Sequence, residues 1–268
     1  MRIRWLGWAG IELEADGATL VIDPLADPAA VFAPLGERAA RAALPAVVPP
    51  RTGTAVAALV THLHRDHADA AAITGALTSD GVVVEPPAGD GEPQENLALL
   101  QADAELAAAG LERRRVEPWT TLDAGPFRVT ALPAVDGLGD PQLSWLVEAD
   151  ACRVLHLGDT LFHGFWWRFA QRLGPIDAVL APVNGALVSF PHRRPASALP
   201  ATMTPEQAAV AAAALDARVA IPIHGEGYEV PGVYASTPGA TGRFAATAGS
   251  RARIPQLGET IALEPVAC

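Results

Sequence analysis

Hydrophobic and polar positions alternate early in the chain, with Ile11, Leu13 and Ala15 set against Glu12 and Glu14. Asp16-Gly17 interrupts the alternation and Leu20-Val21-Ile22 resumes it, which predicts a β-hairpin with Asp-Gly as its turn. Residues 24–53 are rich in Pro and Ala and predict a long irregular loop, a feature that is often functional in a compact domain. An apolar strand from Val56 to Val60 then leads straight into His62-Leu63-His64-Arg65-Asp66-His67. Helices are predicted over 66–79, over 96–110 (apolar stripe Leu97, Leu100, Ala104, Ala107, Leu111) and over 163–173. A fourth, from Thr204 to about 217, has Thr as cap, Pro205 at the first position and Gln207 three after the cap. Short apolar runs predict strands at 82–84, 127–132, 143–147, 153–157, 176–183 and 219–223. Strands and helices alternate without a linker, so one α/β domain over 1–268 is expected, with two sheets packed between helices. The strands LVTHLHRDH and VLHLGDT each end in polar residues, which suggests two similar halves.

Composition narrows the function classes. The 268 residues carry 24 Gly and 24 Pro, dispersed as many turns, and a formal charge of −11. A nucleic-acid binder usually shows a basic face; the one basic cluster, Arg113-Arg114-Arg115, reads as a solvated strand edge. Cys152 sits in an apolar run and Cys268 at the end of the sequence, so no disulfide framework is expected, in keeping with a reducing cytoplasm. The N-terminal apolar stretch is too short and too soon acidic for a signal peptide. No uncharged run reaches the roughly 18 residues of a membrane span. A soluble cytoplasmic protein acting on a small molecule is expected, with no nucleic-acid or membrane partner. Assembly into homo-oligomers stays open.

The hexapeptide 62–67 holds three of the seven histidines. Side chains two apart in an extended chain point the same way, so His62 and His64 can present both imidazoles to one metal at the strand end. Asp66 and His67 come from the following turn and can face a second. Imidazoles and a carboxylate together suit Zn²⁺, Mn²⁺ or Fe²⁺.

HLHRDH resembles the HxHxDH signature of the metallo-β-lactamase superfamily. Ile22-Asp23-Pro24 is similar to that family's first motif, Leu157-Gly158-Asp159-Thr160 to its GDT segment and Ile223-His224-Gly225 to its last histidine motif. Within the family, the pattern looks nearest to the branch containing L-ascorbate-6-phosphate lactonase. The resemblance implies a four-layer αββα sandwich and two divalent cations. It implies His62 and His64 on the first cation, Asp66, His67 and His224 on the second, and Asp159 bridging them. Asp66 and Asp159 are thereby the expected catalytic carboxylates. Asp23 becomes a group orienting the histidine loop, the plain alternative being a turn residue before Pro24. The implied reaction is hydrolysis of a small ester, lactone or amide by a metal-bridging hydroxide. A phosphodiesterase of the same fold and a non-catalytic binding protein are the rivals.

One position departs from the family. Asp136 stands where the first metal's third histidine is expected. Either it is a ligand itself, or the first site is weakened and only one metal is bound; the ligand reading is preferred, and the plain alternative is that Asp136 merely starts an Asp-Gly turn. A carboxylate there removes one unit of positive charge from the cluster. That weakens the ions as Lewis acids and favours harder Mn²⁺ or Fe²⁺ over Zn²⁺.

The remaining polar candidates have ordinary alternatives. His163 and His192 are structural by default, with substrate contact or a general acid as the functional option. Arg193 and Arg194 read either as an anion-binding pair or as solvated charges on a Pro-rich loop. Asn184-Gly185 either donates an amide to substrate or makes a turn. Trp8, Trp145, Phe162, Trp166, Trp167, Phe190 and Tyr228 lie near the motifs and divide between pocket wall and core.

Overall fold

The predicted hairpin forms from Gly10–Ala15 (β2) and Ala18–Ile22 (β3), with Ile11 opposite Ile22 and Leu13 opposite Leu20. Asp16 and Gly17 both take positive φ, the turn geometry that matches the twist of a two-residue hairpin. In the computed structural model, which describes residues 1–32, 43–190 and 193–264, this hairpin belongs to a seven-stranded sheet. The strand order is β15 (Thr260–Ala262), β1 (Arg2–Gly7), β2, β3, β4 (Ala55–Leu59), β5 (Leu77–Glu85), β6 (Glu112–Arg115). Strands β3 to β6 run parallel and the others antiparallel.

A second, six-stranded sheet has the order β13 (Val219–Ile223), β11 (Ala178–Pro182), β10 (Cys152–His156), β9 (Leu143–Ala149), β8 (Phe127–Pro133), β7 (Thr121–Ala124). Its β13, β11 and β10 are parallel, and the remaining pairs antiparallel. Strands β4 and β10, which lead into the hexapeptide and the GDT segment, thus sit in different sheets, β4 between two parallel neighbours and β10 beside one, β11. Strands β12 (Leu187–Val188) and β14 (Tyr234–Ala235) form a separate small ribbon.

Side-chain parity sorts the core into three layers of contact. On β4, Ala57 and Leu59 face the other sheet, where they share a cluster with Val129, Trp145, Val147, Val154 and Leu180. Their neighbours Ala55, Ala58 and Val60 face outward against α2 (Ala70–Ala76) and α3 (Leu97–Ala108) through Ile73, Leu99 and Leu106. On the second sheet, Val179 and Ala181 face outward against α4 (Phe165–Leu173), α5 (Pro205–Ala214) and α6 (Ala240–Ala248) through Trp166, Ala208 and Phe244. Helices therefore cover the outside of both sheets and the fold is an αββα sandwich, in which each buried large side chain contributes roughly 1.5–3 kcal/mol.

Two predicted boundaries and one predicted helix face shift for physical reasons. The helix expected over 66–79 is only α2, because Asp69 caps it by accepting from Ala71 and Ala72 N–H, and Leu77 already pairs with Ala55 in the sheet. The loop expected over 24–53 begins with α1 (Pro28–Phe32); residues 33–42 lie outside the described part. The stripe predicted on α3 is corrected: Leu99, Ala102 and Leu106 face the sheet, whereas Leu97 and Leu100 are 55% and 44% exposed. The helix after Thr204 forms with the full capping box, Thr204 bonded to Gln207 N–H and Gln207 to Thr204 N–H. Arg113 to Arg115 lie on the edge strand β6, Arg113 and Arg115 paired with Glu85 and Asp103 and Arg114 with Glu112. No helix is long and apolar enough to cross a membrane among the described residues.

Candidate metal centre

Strands from both sheets deliver polar side chains to one edge of the sandwich, beyond their carboxyl ends. Residue 23 follows β3, the hexapeptide 62–67 follows β4, Asp136 follows β8, Asp159 follows β10, Asn184 follows β11 and His224 follows β13. Crevices at such strand ends are the usual site of chemistry in open α/β sheets. Three overlapping sets of ligand atoms form there, each within 4.8 Å of one another. They are His62, His64 and Asp136; His62, His67 and Asp159; and Asp66, His67 and His224. Asp159 stands between the two sides, with Oδ2 3.0 Å from Nε2 of His224 and 3.4 Å from Nε2 of His67. Asp66 Oδ2 lies 3.5 Å from Nε2 of His224 and 3.6 Å from Nε2 of His67. All seven residues expected to hold metal are therefore neighbours, although up to 162 positions separate them in sequence (224 − 62).

Each imidazole is held by its far nitrogen. Nδ1 of His62 is 3.0 Å from Thr61 Oγ1, Nδ1 of His67 is 2.8 Å from Asp23 Oδ2, and Nδ1 of His224 is 2.7 Å from the Asn184 amide. His64 is held the other way round, with Nε2 2.7 Å from Asp140 Oδ2. This leaves Nε2 of His62, His67 and His224 and Oδ1 of Asp159 buried without a hydrogen-bond partner among the described residues. A buried polar atom without a partner costs roughly 1–3 kcal/mol, so four such atoms on neighbouring side chains fit the coordination of a cation. The donor set, imidazole nitrogens and carboxylate oxygens with the far nitrogens fixed by outer partners, is what divalent transition metals require.

Charge is already organised around the centre. Burial works to raise the Asp66 pKa, but His67 and His224 outweigh it and hold the carboxyl well below its usual range. Burial opposes charge on His67 too, and Asp159, Asp66 and Asp23 overcome it, keeping that imidazole well above its usual value. His62 has burial, His67 and His64 all acting to push it down. Asp136 is raised, by burial first.

Local backbone serves this arrangement. Trp8, Asp23 and His224 all take positive φ, a costly conformation for non-glycine residues that clusters at functional sites. The three touch the same centre. Trp8 O accepts from His224 N–H, its ring centroid lies 3.9 Å from that of His224, and its Nε1 donates to Asp66 Oδ2 at 2.9 Å. Asp23 is fully buried and accepts from Thr61 N–H at 2.8 Å and Thr61 Oγ1 at 2.6 Å, besides its contact with His67. Gly158 has φ +65°, and a Cβ there would meet Thr61 Cβ at 2.9 Å, so the GD turn packs directly on the histidine loop.

A model of the Beta-lactamase superfamily domain matches residues 18–225 of the sequence. The chain belongs to that family. Among its relatives, the UPF0173 metal-dependent hydrolase MK1542 of Methanopyrus kandleri is 29% identical over 231 residues, covering 84% of each chain. An isothiocyanate hydrolase from Delia radicum gut bacteria has a similar fold, with TM-score 0.69 and 20% identity, covering 98% of this chain and 99% of that one. So does CmlA, a diiron β-hydroxylase from Streptomyces venezuelae, with TM-score 0.71 and 17% identity over 98% of this chain. The chain spans 54% of the length of CmlA.

The other expected site residues of this beta-lactamase superfamily chain lie as follows. Asn184 is fully buried, bonded to Tyr234 Oη and Thr202 Oγ1 besides His224, so its amide is spent on protein partners instead of substrate. His163 stacks on Trp166 at 3.9 Å and its Nδ1 accepts from Phe165 N–H, against the aromatics Phe165, Trp166 and Phe169 of α4, and it is not among the residues lining the site cavity. His192 lies outside the described residues. Arg193 borders the site cavity but is paired with Asp140 at 2.6 Å and with the Leu138 carbonyl. Trp8, Phe190 and Tyr228 line the cavity, Trp145 and Trp166 are core, and Trp167 is exposed.

Sequence reasoning missed Asp140, Thr61 and Gln142. Gln142, with its amide turned to satisfy its neighbours, donates to Asp136 Oδ2 at 3.0 Å and accepts from Asp159 and Thr160 N–H. Asp136 Oδ1 accepts from Leu138 N–H at 2.7 Å and Asp140 N–H at 3.2 Å. Asp136 thus starts a turn and has a carboxylate oxygen within 4.8 Å of ligand atoms of His62 and His64.

Proposed function

We propose that this protein is a metal-dependent hydrolase that holds two divalent cations at the strand ends and cleaves a small ester, lactone or amide. The observation that carries the reading is the convergence of partnerless Nε2 and carboxylate atoms from His62, His67, His224 and Asp159 into overlapping ligand sets at the strand ends. The relative from Methanopyrus kandleri bears the name metal-dependent hydrolase, which supports the same reading. Lactones are included because the sequence pattern resembles the lactonase-like branch, and a cytoplasmic setting because the cysteines suggest no disulfide framework.

Cations bound here supply Lewis acidity and lower the pKa of a coordinated water from 15.7 toward about 7. The chain's own residues divide the remaining work. His62, His64 and Asp136 would hold the first ion, and Asp66, His67 and His224 the second, with Asp159 facing both. Trp8 fixes the Asp66 carboxylate by donating its indole N–H to Oδ2, the oxygen that also faces His67 and His224. Thr61, Asp23, Asn184 and Asp140 fix the imidazole rings. Asp136 in place of an imidazole adds negative charge, which favours Mn²⁺ or Fe²⁺ over Zn²⁺.

The phosphodiesterase alternative is disfavoured by the two arginines bordering the cavity. Arg65 is spent on Glu105 and the Val31 carbonyl, and Arg193 on Asp140 and the Leu138 carbonyl. A panel of chromogenic esters, lactones, amides and phosphodiesters, assayed with protein loaded in turn with Zn²⁺, Mn²⁺ and Fe²⁺, tests the proposal. Turnover of a carboxylic substrate, lost with a chelator and restored by metal, is expected. A metal-loaded protein inert to the whole panel would contradict it and favour a binding role.

A further inference from the structure

The metal centre forms the floor of a cavity of about 730 Å³, within the roughly 300–1,000 Å³ usual for sites that take small molecules. Its walls are mostly apolar, with Phe32, Leu97, Leu100, Val188, Phe190 and Val233 among them. Leu97 and Leu100 lie on the face of α3 turned away from the sheet, which Leu99 and Leu106 already cover. Packing of the helix does not require them, and large leucines left 55% and 44% exposed beside a cavity mark a binding surface. The cationic groups at the same walls, Arg65 and Arg193, have internal partners, so an anionic substituent would find no free counter-charge among the described residues there.

We infer that the substrate is a neutral carboxylic derivative carrying an alkyl or aryl arm, and that Leu97 and Leu100 select for that arm. The inference rests on the hydrolase reading above and adds the substrate class to it. The reacting carbonyl would lie at the floor, beside Asp66 and Asp159. The arm would run up the wall formed by α3 and the β12–β14 ribbon, removing Leu97 and Leu100 from water.

The test uses metal-loaded protein and 4-nitrophenyl esters from acetate to octanoate. Burial of each added methylene is expected to raise kcat/KM about two- to fourfold until the cavity is filled. The double variant Leu97→Asp/Leu100→Asp should lower the octanoate-to-acetate ratio of kcat/KM at least tenfold while retaining its bound metal. A second arm needs no turnover: calorimetric titration with N-butylacetamide and N-octylacetamide should show tighter binding of the longer amide, lost in the double variant. If no ester is hydrolysed yet the amides bind in this order, the hydrolase reading fails and the apolar-arm inference stands. A flat or falling series in esters and amides alike, absence of amide binding, or an unchanged ratio in the double variant overturns the inference.

Discussion

Nε2 of His64 and Oδ2 of Asp140 stand 2.7 Å apart, and the same carboxylate oxygen accepts from Arg193 Nη2 at 2.6 Å. The contact leaves Nδ1 of His64 as the nitrogen that serves the centre. Asp140 owes its own charge to this pairing: burial works against it, but His64 and Arg193 hold its carboxyl below the usual range. Replacing Asp140 by Asn should therefore weaken the ion held by His62, His64 and Asp136 by about ten- to a hundredfold, the usual effect of losing an outer partner. Competition with a metallochromic chelator measures it. The ion at Asp66, His67 and His224 should be affected much less, and equal weakening of both would contradict the assignment.

Asp23 has a heavier duty. It is fully buried and satisfies Thr61 N–H, Thr61 Oγ1 and His67 Nδ1 together. Asp23→Ala strands all three groups, so a stability loss of about 3 kcal/mol or more is expected. Denaturant unfolding of metal-free protein is the check, since it separates this loss from any loss of bound metal.

Tyr228 predicts the opposite. Its hydroxyl is buried with no partner among the described residues, and burial pushes its pKa up to about 12. The ring is held by stacking on Phe32 at 4.2 Å, which phenylalanine preserves. Tyr228→Phe should leave the melting temperature of the free protein unchanged or raise it, by up to about 1 kcal/mol of stability. A clear fall would reveal a partner for the hydroxyl.

His163 supplies a pH dependence. Burial lowers its pKa from 6.5 to about 4, so the folded protein keeps it neutral while the unfolded chain protonates it below 6.5. The unfolded state binds more protons in that window, so stability falls as pH drops from about 6.5 towards 4. The side chain is partly exposed, so the loss from this group should be roughly 1–2 kcal/mol. His163→Asn keeps an acceptor for Phe165 N–H and removes the titration. Its unfolding free energy should slope less steeply between pH 6.5 and 4 than that of the parent.

The histidine-rich hexapeptide was legible in sequence because strand parity and a following turn place its side chains without help from the rest of the fold. The hairpin turn and the Thr204 capping box were legible for the same local reason. Asp140 was not, because its meeting with His64 spans 76 positions and rests on the fold of the 136–140 turn. Leu97 and Leu100 share helical spacing with core leucines, and only the position of the sheet shows that Leu99 and Leu106 face inward. Asn184 looked available for substrate because sequence shows neither Tyr234 nor Thr202 beside it. Strand β15 and helix α6, far from any motif, carried too weak a pattern to predict.

The central claim is that seven side chains from both sheets hold two cations. Elemental analysis of protein equilibrated with Mn²⁺, Fe²⁺ or Zn²⁺, alongside Asp136→Ala and His224→Ala, tests it most directly. Two equivalents per chain in the parent and one in each variant are predicted. A parent that binds no metal, or variants that retain both ions, would contradict it.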